Sequence, residues 1–318
     1  MPDSVPPPGF RSERAKRSLA GWIWGLGIPI GIIQLIVPVA SVVWLVVIAI
    51  AAAFTGPSVQ VDRAVSFDDT IWIPRTHDGD HPSGKKGRHW DVVRLDRPAD
   101  PVVLPPELST GLAPWLIPDG DRLRVVSGRH RGVVGGEAVT LEEQGDRFHP
   151  ASRVFCLRGK PAVLIRKDRA LDVFTWSSGA WIRQGAAQLA LPPSAYPDEM
   201  VAVVEGSSLH VFMLDGDDIL YGEGTLADGE LQDFRKVSAS DGGIAAGVVN
   251  GSLFLVRVRD EEAGNQVEVL KRVGDRFTAQ TKLAVDGADE VQWLTLDGSP
   301  QLLVETTLGG VQRLGFDG

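Results

Sequence analysis

The sequence is almost free of cysteine. Cys156 is the only one in 318 residues, which excludes an intrachain disulfide and a cysteine-based zinc finger. It lies in the apolar run VFCL, so we expect a small buried hydrophobe there and not a nucleophile. The sequence also lacks a GxSxG motif and a glycine-rich phosphate-binding fingerprint.

Acidic side chains outnumber basic ones outside the N-terminus. The chain carries a formal charge of −9. Residues 1–17 contain four basic and two acidic side chains, a balance of +2, so the remainder carries −9 − 2 = −11. Nucleic-acid binding needs basic patches that neutralise phosphate, and we therefore expect no nucleic-acid partner.

A long charge-free segment is the strongest single signal. Residues 19–54 form an apolar run in which Gln34 is the only strongly polar side chain. About 20 apolar residues cross a bilayer, and the crossing part is expected to be helical. We predict a tail at 1–18, a membrane segment at 19–55 with its span at about 32–54, and the lipid bilayer as one partner.

Two alternatives to a single pass stay open. One is a hairpin of two short helices; the other is a cleaved signal peptide, although the run far exceeds a 7–15-residue h-region. The basic N-terminal cluster places the N-terminus in the cytoplasm. A single pass would then put the rest of the chain outside the cytoplasm, at the cell membrane, whereas a hairpin would return it inside.

The tetrapeptide GDRF occurs twice, at Gly145 and at Gly274. Each copy follows a stretch of alternating apolar and polar residues, which is typical of a strand, a glycine turn and a returning strand that opens with an aromatic. Looser copies have turn glycines at Gly179 and Gly229. Asn250-Gly251 and similar pairs predict further tight hairpins with positive φ.

The repeating unit contains four short strands in 40–45 residues, which is the spacing of a β-propeller blade. The sequence therefore predicts an all-β domain at 90–318, preceded by a linker at 56–89. We expect five four-stranded blades, or six if residues 70–104 form a degenerate blade. The last unit is one strand short, and we expect a strand from 90–104 to complete it.

This pattern resembles β-propeller repeat proteins in architecture only. The turn Ser177–Trp181 is similar to a degenerate Asp-box hairpin, but no WD, kelch or YWTD signature is present. A β-sandwich or twin barrel is the structural alternative. Five-bladed propellers resemble a group of glycoside hydrolases, which implies carboxylates at the propeller axis.

Few residues carry a chemical signal. His77, Asp80 and His81 have metal-ligand chemistry, but no regular element sets their spacing, and a solvated loop explains them better. Asp119 and Glu205 end predicted innermost strands, where axial carboxylates would lie, yet each precedes a turn glycine. We assign no catalytic, metal or cofactor site from the sequence, and no cofactor.

The functional expectation is a membrane-anchored extracytoplasmic propeller that binds or scaffolds a protein, peptide or glycan at the cell envelope without catalysis. The alternatives are an envelope glycan hydrolase with axial carboxylates, and a cytoplasmic propeller held by a helical hairpin.

Overall fold

The computed structural model describes residues 58–77, 87–109, 112–135, 138–141, 150–167, 170–190, 199–225, 234–261, 264–307 and 309–316. The predicted membrane segment lies outside these residues, as do Asp80, His81 and the first GDRF copy. Within the described part of the chain, no helix is long and apolar enough to cross a membrane.

The described residues form six antiparallel sheets, arranged as the six blades of a β-propeller. The first blade contains β1 (Ser58–Val59), a 3₁₀ turn (Val61–Arg63), β2 (Val65–Phe67), β3 (Thr70–His77), β4 (His89–Arg94) and β5 (Arg97–Val103). The second contains β6 (Trp115–Asp119), β7 (Arg122–Ser127), β8 (His130–Gly135) and β9 (Ala138–Leu141), after a short helix α1 (Pro106–Ser109). The third contains β10 (Phe155–Leu157), β11 (Lys160–Lys167), β12 (Ala170–Ser177) and β13 (Ala180–Ala190).

The remaining three blades follow in chain order. The fourth contains β14 (Glu199–Glu205), β15 (Ser208–Asp215), β16 (Asp218–Thr225) and β17 (Arg235–Ala239). The fifth contains β18 (Ile244–Val249), β19 (Ser252–Glu261), β20 (Gly264–Val273) and β21 (Arg276–Ala284). The sixth has three strands in the described chain, β22 (Ala288–Leu296), β23 (Ser299–Thr306) and β24 (Val311–Gly315).

The propeller prediction is confirmed, with six blades and not five. Among the described residues the first sheet begins at Ser58 and not at residue 90, because β1, β2 and β3 lie in the segment expected as a linker. The expectation that residues 90–104 complete the last blade is wrong, since β4 and β5 pair within the first blade. The sequence pattern predicted the first blade only as a degenerate alternative at 70–104, because its strands contain prolines and its fourth strand is mostly exposed.

Apolar packing between blades closes the ring. Each of the six hydrophobic clusters joins one pair of adjacent blades. The cluster between the first and last blades includes Ile71, Ile73, Leu294 and Leu303. Burying apolar side chains on this scale supplies the closure energy, about 1.5–3 kcal/mol for each large side chain, so no exchanged strand is needed.

The propeller has two distinct ends. The innermost strands of all blades run in the same direction, since every blade repeats the same antiparallel order. We call the end where these strands begin the loop face; it includes Ser58 and Glu199. We call the opposite end the turn face; it carries the hairpin turns that follow the innermost strands, including Gly206 and Gly298.

Turn chemistry agrees with the sequence prediction. Asn250-Gly251 and Asp297-Gly298 both have positive φ at the two turn residues, as a type I′ hairpin requires. The second GDRF copy forms the turn between β20 and β21, where Gly274 has a φ of +60°. Phe277 on the returning strand then packs edge-on against Phe212 and Tyr221 of the preceding blade.

The packing between the fifth and sixth blades leaves no room for a side chain at Gly247. A Cβ at this position in β18 would come within 2.2 Å of the Trp293 indole in the next blade. We therefore expect Gly247→Ala to destabilise the full-length protein by about 1–3 kcal/mol, since overpacking forces neighbouring atoms to shift. Thermal unfolding would measure the loss. Gly315→Ala is the matched control, because its Cβ would meet nothing within 4 Å; equal effects of the two variants would contradict this account.

Candidate functional site

A charged cluster lies on the propeller axis near the loop face. Its centre is Arg153, whose side chain is 5% exposed and which precedes β10 in the third blade. Its guanidinium donates to Gln292 Oε1 at 2.6 Å and to the Val291 carbonyl, both in the sixth blade. In a ring of six the third and sixth blades are opposite, so Arg153 reaches across the channel.

Two carboxylates meet on the same nitrogen of Arg153. Its Nη2 donates to Glu199 Oε1 at the start of β14 and to Glu290 Oε2 of β22 at 3.2 Å. The second oxygen of Glu199 accepts the Ile244 backbone N–H of the fifth blade at 3.2 Å. Gln292 Nε2 donates to the Ala64 carbonyl of the first blade at 3.3 Å. We call Arg153, Glu199, Glu290 and Gln292 the axial cluster; its contacts join five of the six blades.

The two carboxyl groups of the axial cluster differ electrostatically. Burial, followed by the charge of Glu199, raises the pKa of Glu290 well above its usual range, and Arg153 opposes this rise without cancelling it. Close packing holds the Glu290 carboxyl in place, because a Cβ at Gly243 would come within 2.3 Å of its Oε2. Arg153 therefore forms an ion pair with Glu199, while the Glu290 carboxyl is held towards its protonated form.

A second polar network lies at the seam between the fourth and fifth blades. His210, 1% exposed, contacts the Tyr221 hydroxyl through Nδ1 at 2.9 Å. The Tyr221 hydroxyl donates to Glu223 Oε2 at 2.9 Å, which also accepts from Arg272 Nη2 at 2.7 Å. On the other side, Nε2 of His210 is 3.3 Å from Glu205 Oε2. We call these five residues the seam network.

Burial and neighbouring charge set the protonation of the seam network. Burial lowers the pKa of His210, and Arg272 adds to this effect against the opposing charges of Glu223 and Glu205. Burial alone would raise the pKa of Glu223, but the hydrogen bonds from Arg272 and Tyr221 outweigh it and lower the pKa. Burial and contact with Glu223 raise the pKa of Tyr221. The network thus contains an ionised Glu223 next to a neutral His210.

The structure does not bring the sequence candidates together. His77 ends β3 and is paired with His89 on β4, at the loop face, while Asp80 and His81 lie outside the described residues. Asp119 and Glu205 both end innermost strands at the turn face, as expected, but in the second and fourth blades. No group of three metal-ligating side chains is present among the described residues.

Each of the two turn-face candidates has its own local partner. Asp119 Oδ2 accepts from Arg124 Nε at 2.6 Å. Burial alone would raise the pKa of Asp119, but the Trp176 indole and the Arg124 guanidinium outweigh it and lower the pKa. Glu205 belongs to the seam network. Two further acids, Asp69 and Asp297, meet between the first and sixth blades at this face, and contact with Asp297 raises the pKa of Asp69.

Sequence reasoning missed the axial cluster. Arg153 and Glu290 are 137 residues apart, and neither stands in a motif. Only a correct count and order of blades would place them opposite one another. Cys156 also differs from expectation, since it is exposed on the innermost strand β10 and not buried.

Arg153→Met should be costly. It leaves Glu199 without its buried counter-charge, and removing one partner of a buried ion pair costs about 3–5 kcal/mol. Adding Glu199→Gln to this variant should restore much of the stability, because the uncompensated charge is then gone. Denaturant unfolding would compare both with Arg235→Met, which breaks an exposed pair with Asp275 and should cost under about 1 kcal/mol. A loss at Arg153 no larger than at Arg235 would refute the central role of the axial cluster.

His210 should make the protein sensitive to acid. Its pKa in the folded state lies below the ordinary value of 6.5, so the unfolded chain binds the proton first. Stability should therefore fall as the pH drops below about 6.5, and His210→Asn should flatten that fall. Melting temperatures from pH 8 to pH 5 would show the difference in slope, with His130→Asn in β8 as control. The raised carboxyl pKa of Glu290 favours the folded state at lower pH, so this group contributes a slope of opposite sign to the dependence of stability on pH. That contribution is the same in the wild type, His210→Asn and His130→Asn. Identical slopes for the wild type and His210→Asn would contradict the prediction.

Comparison with known proteins assigns this chain to no family. No protein-family model and no curated protein matches it. Among solved structures it is similar to hydrazine synthase from Kuenenia stuttgartiensis, at 14% identity and a TM-score of 0.44 over 78% of this chain and 74% of that one. It is also similar to an α-L-arabinofuranosidase from Podospora anserina in complex with cellotriose, at 9% identity and a TM-score of 0.43 over 82% of this chain and 91% of that one. At these values neither likeness assigns an activity, and the fold rests on the strand topology described above.

Proposed function

We propose that this protein is a membrane-anchored propeller outside the cytoplasm that binds or scaffolds a protein, peptide or glycan, without catalysis of its own. The axial cluster is the observation that carries the non-catalytic part. In a propeller enzyme of the glycosidase kind, the axis would hold a proton-donating acid and a free carboxylate facing the substrate. Here, in contrast, the buried guanidinium of Arg153 donates hydrogen bonds to both carboxyl groups.

Anchoring is supported by the sequence of residues 19–54. A run of 36 residues with no charge is too long for an ordinary core helix of a soluble domain, and it follows a basic cluster that favours a cytoplasmic N-terminus. The acidic balance of the remaining chain supports a partner other than nucleic acid. A six-bladed ring offers such a partner two broad faces and an edge.

A glycan hydrolase is the second candidate. It is favoured by the convergence of Glu199 and Glu290 on the axis and by the raised pKa of Glu290, which suits a general acid. The same geometry weighs against it. A substrate would have to displace Arg153 from both carboxyl groups, and Arg153 also holds the sixth blade through Gln292 and the Val291 carbonyl.

The membrane assignment is testable with a tag beyond Gly318. A single pass predicts that protease digests the tagged domain in intact cells, while a cytoplasmic control protein survives. Val43→Arg together with Val47→Arg places two charges in the predicted span, each costing about 2.5–3.5 kcal/mol near its centre, and should release the protein from the membrane fraction. Ser207→Arg, on an exposed turn, is the matched control and should stay bound. Protection of the tag until lysis would overturn the extracytoplasmic placement and favour the helical hairpin.

A further inference from the structure

The chain enters the propeller at its axis and at one particular end. Ser58 and Val59 are buried and pair with Thr76 and Arg75 of β3. They occupy the innermost strand position of the first blade, and the segment then continues through the 3₁₀ turn to β2 and the turn at Asp68. The chain therefore runs from the loop face towards the turn face, and Ser58 stands at the loop-face end.

Little chain separates this point from the predicted membrane span. The span is expected to end at Phe54, four residues before Ser58. Four residues extend at most about 14 Å, while the headgroup layer on each side of the hydrocarbon core is about 5–7 Å thick. Since Ser58 itself is fixed in the sheet, the connection leaves room for little more than the headgroups between bilayer and propeller.

The position of the connection at the axis limits how the propeller can tilt. A tether at the rim would let the disc stand on its edge, with both faces in solvent. A short tether at the centre of one face keeps that face over the bilayer and directs the opposite face away. The 3₁₀ turn contacts β22 of the last blade. The point where the chain enters the propeller is therefore held by the first and last blades together.

We infer that the loop face is a lipid-facing surface, apposed to the headgroups of the bilayer, and that the turn face is the one presented to other partners. This inference rests on the proposed membrane anchor and adds to it the orientation of the propeller. The axial cluster then lies at the membrane-side mouth of the channel. The acids at the turn face, including Asp69, Asp297 and Glu205, face away from the membrane.

The fourth blade offers a matched pair of reporter positions. Ser207 lies in the turn before β15 and Asp217 in the turn after it, and both are exposed. The eight residues of β15 separate the two turns by about 26 Å along the propeller axis. With Cys156→Ser as background, Ser207→Cys and Asp217→Cys each give a single labelling site on the full-length protein, one on the turn face and one on the loop face.

The experiment attaches a fluorophore to each cysteine and reconstitutes the protein into phosphatidylcholine liposomes that carry a quencher on the lipid headgroups. We expect the label at position 217 to be quenched at least about threefold more strongly than the label at 207, since short-range quenching falls steeply over 26 Å. Inserting a ten-residue Gly-Ser linker between Gly56 and Pro57 should reduce this difference, because a flexible linker of that length adds about 16–19 Å of r.m.s. reach.

Two failures are distinguishable. If the labelled protein does not float with the liposomes, the membrane anchor is wrong, and the orientation is overturned with it. If it floats but the two labels are quenched equally, or position 207 more strongly, the anchor stands and the orientation alone is overturned.

Discussion

The structure depends on the need to bury both faces of each sheet. In β15 all residues from Leu209 to Leu214 are buried. Leu209, Val211 and Met213 point into the seam with the third blade, whereas Phe212 and Leu214 point into the seam with the fifth. One strand therefore supplies two hydrophobic interfaces. A sheet of this kind is stable only between two others, and a closed ring satisfies every sheet without leaving an apolar face exposed.

Closing the ring creates a second constraint, because the innermost strands then surround a channel. Polar side chains that point into this channel must form hydrogen bonds or ion pairs with the protein, or remain hydrated. Near the loop face, Arg153 is paired with groups of the sixth blade, on the opposite side of the ring, and with Glu199 of the adjacent fourth blade. The arrangement ties distant blades by charge and hydrogen bonds, while the seams tie adjacent blades by apolar contact. The two sets of contacts are complementary: one acts around the ring and the other across it.

Local sequence predicted those parts of the fold that local chemistry determines. Alternating strands and glycine turns identified the hairpins after Asn250 and at Gly274, and four strands to a unit identified the blades. It predicted the first blade only as a degenerate alternative at 70–104, because proline interrupts the strand pattern there and β5 is mostly exposed, and it did not identify the axial cluster. Arg153 lies just before a strand and Glu290 lies within one, and neither stands out in the sequence until six blades are counted around the axis. The same holds for His210, which meets Arg272 only through the seam between two blades.

The two ends of the channel suggest why a propeller would be tethered at its axis. Near the loop face the channel is crossed by the axial cluster, whose contacts join five blades, so a ligand could enter there only by loosening the ring. At the turn face, Asp69 and Asp297 are hairpin-turn residues, and a residue in such a turn can change without disturbing the seams. If the protein binds a partner as proposed, specificity can therefore vary at these turns at small cost in stability. In the proposed orientation, a chain that enters at the centre of the loop face would place the end crossed by the axial cluster against the membrane and would leave the adaptable end free.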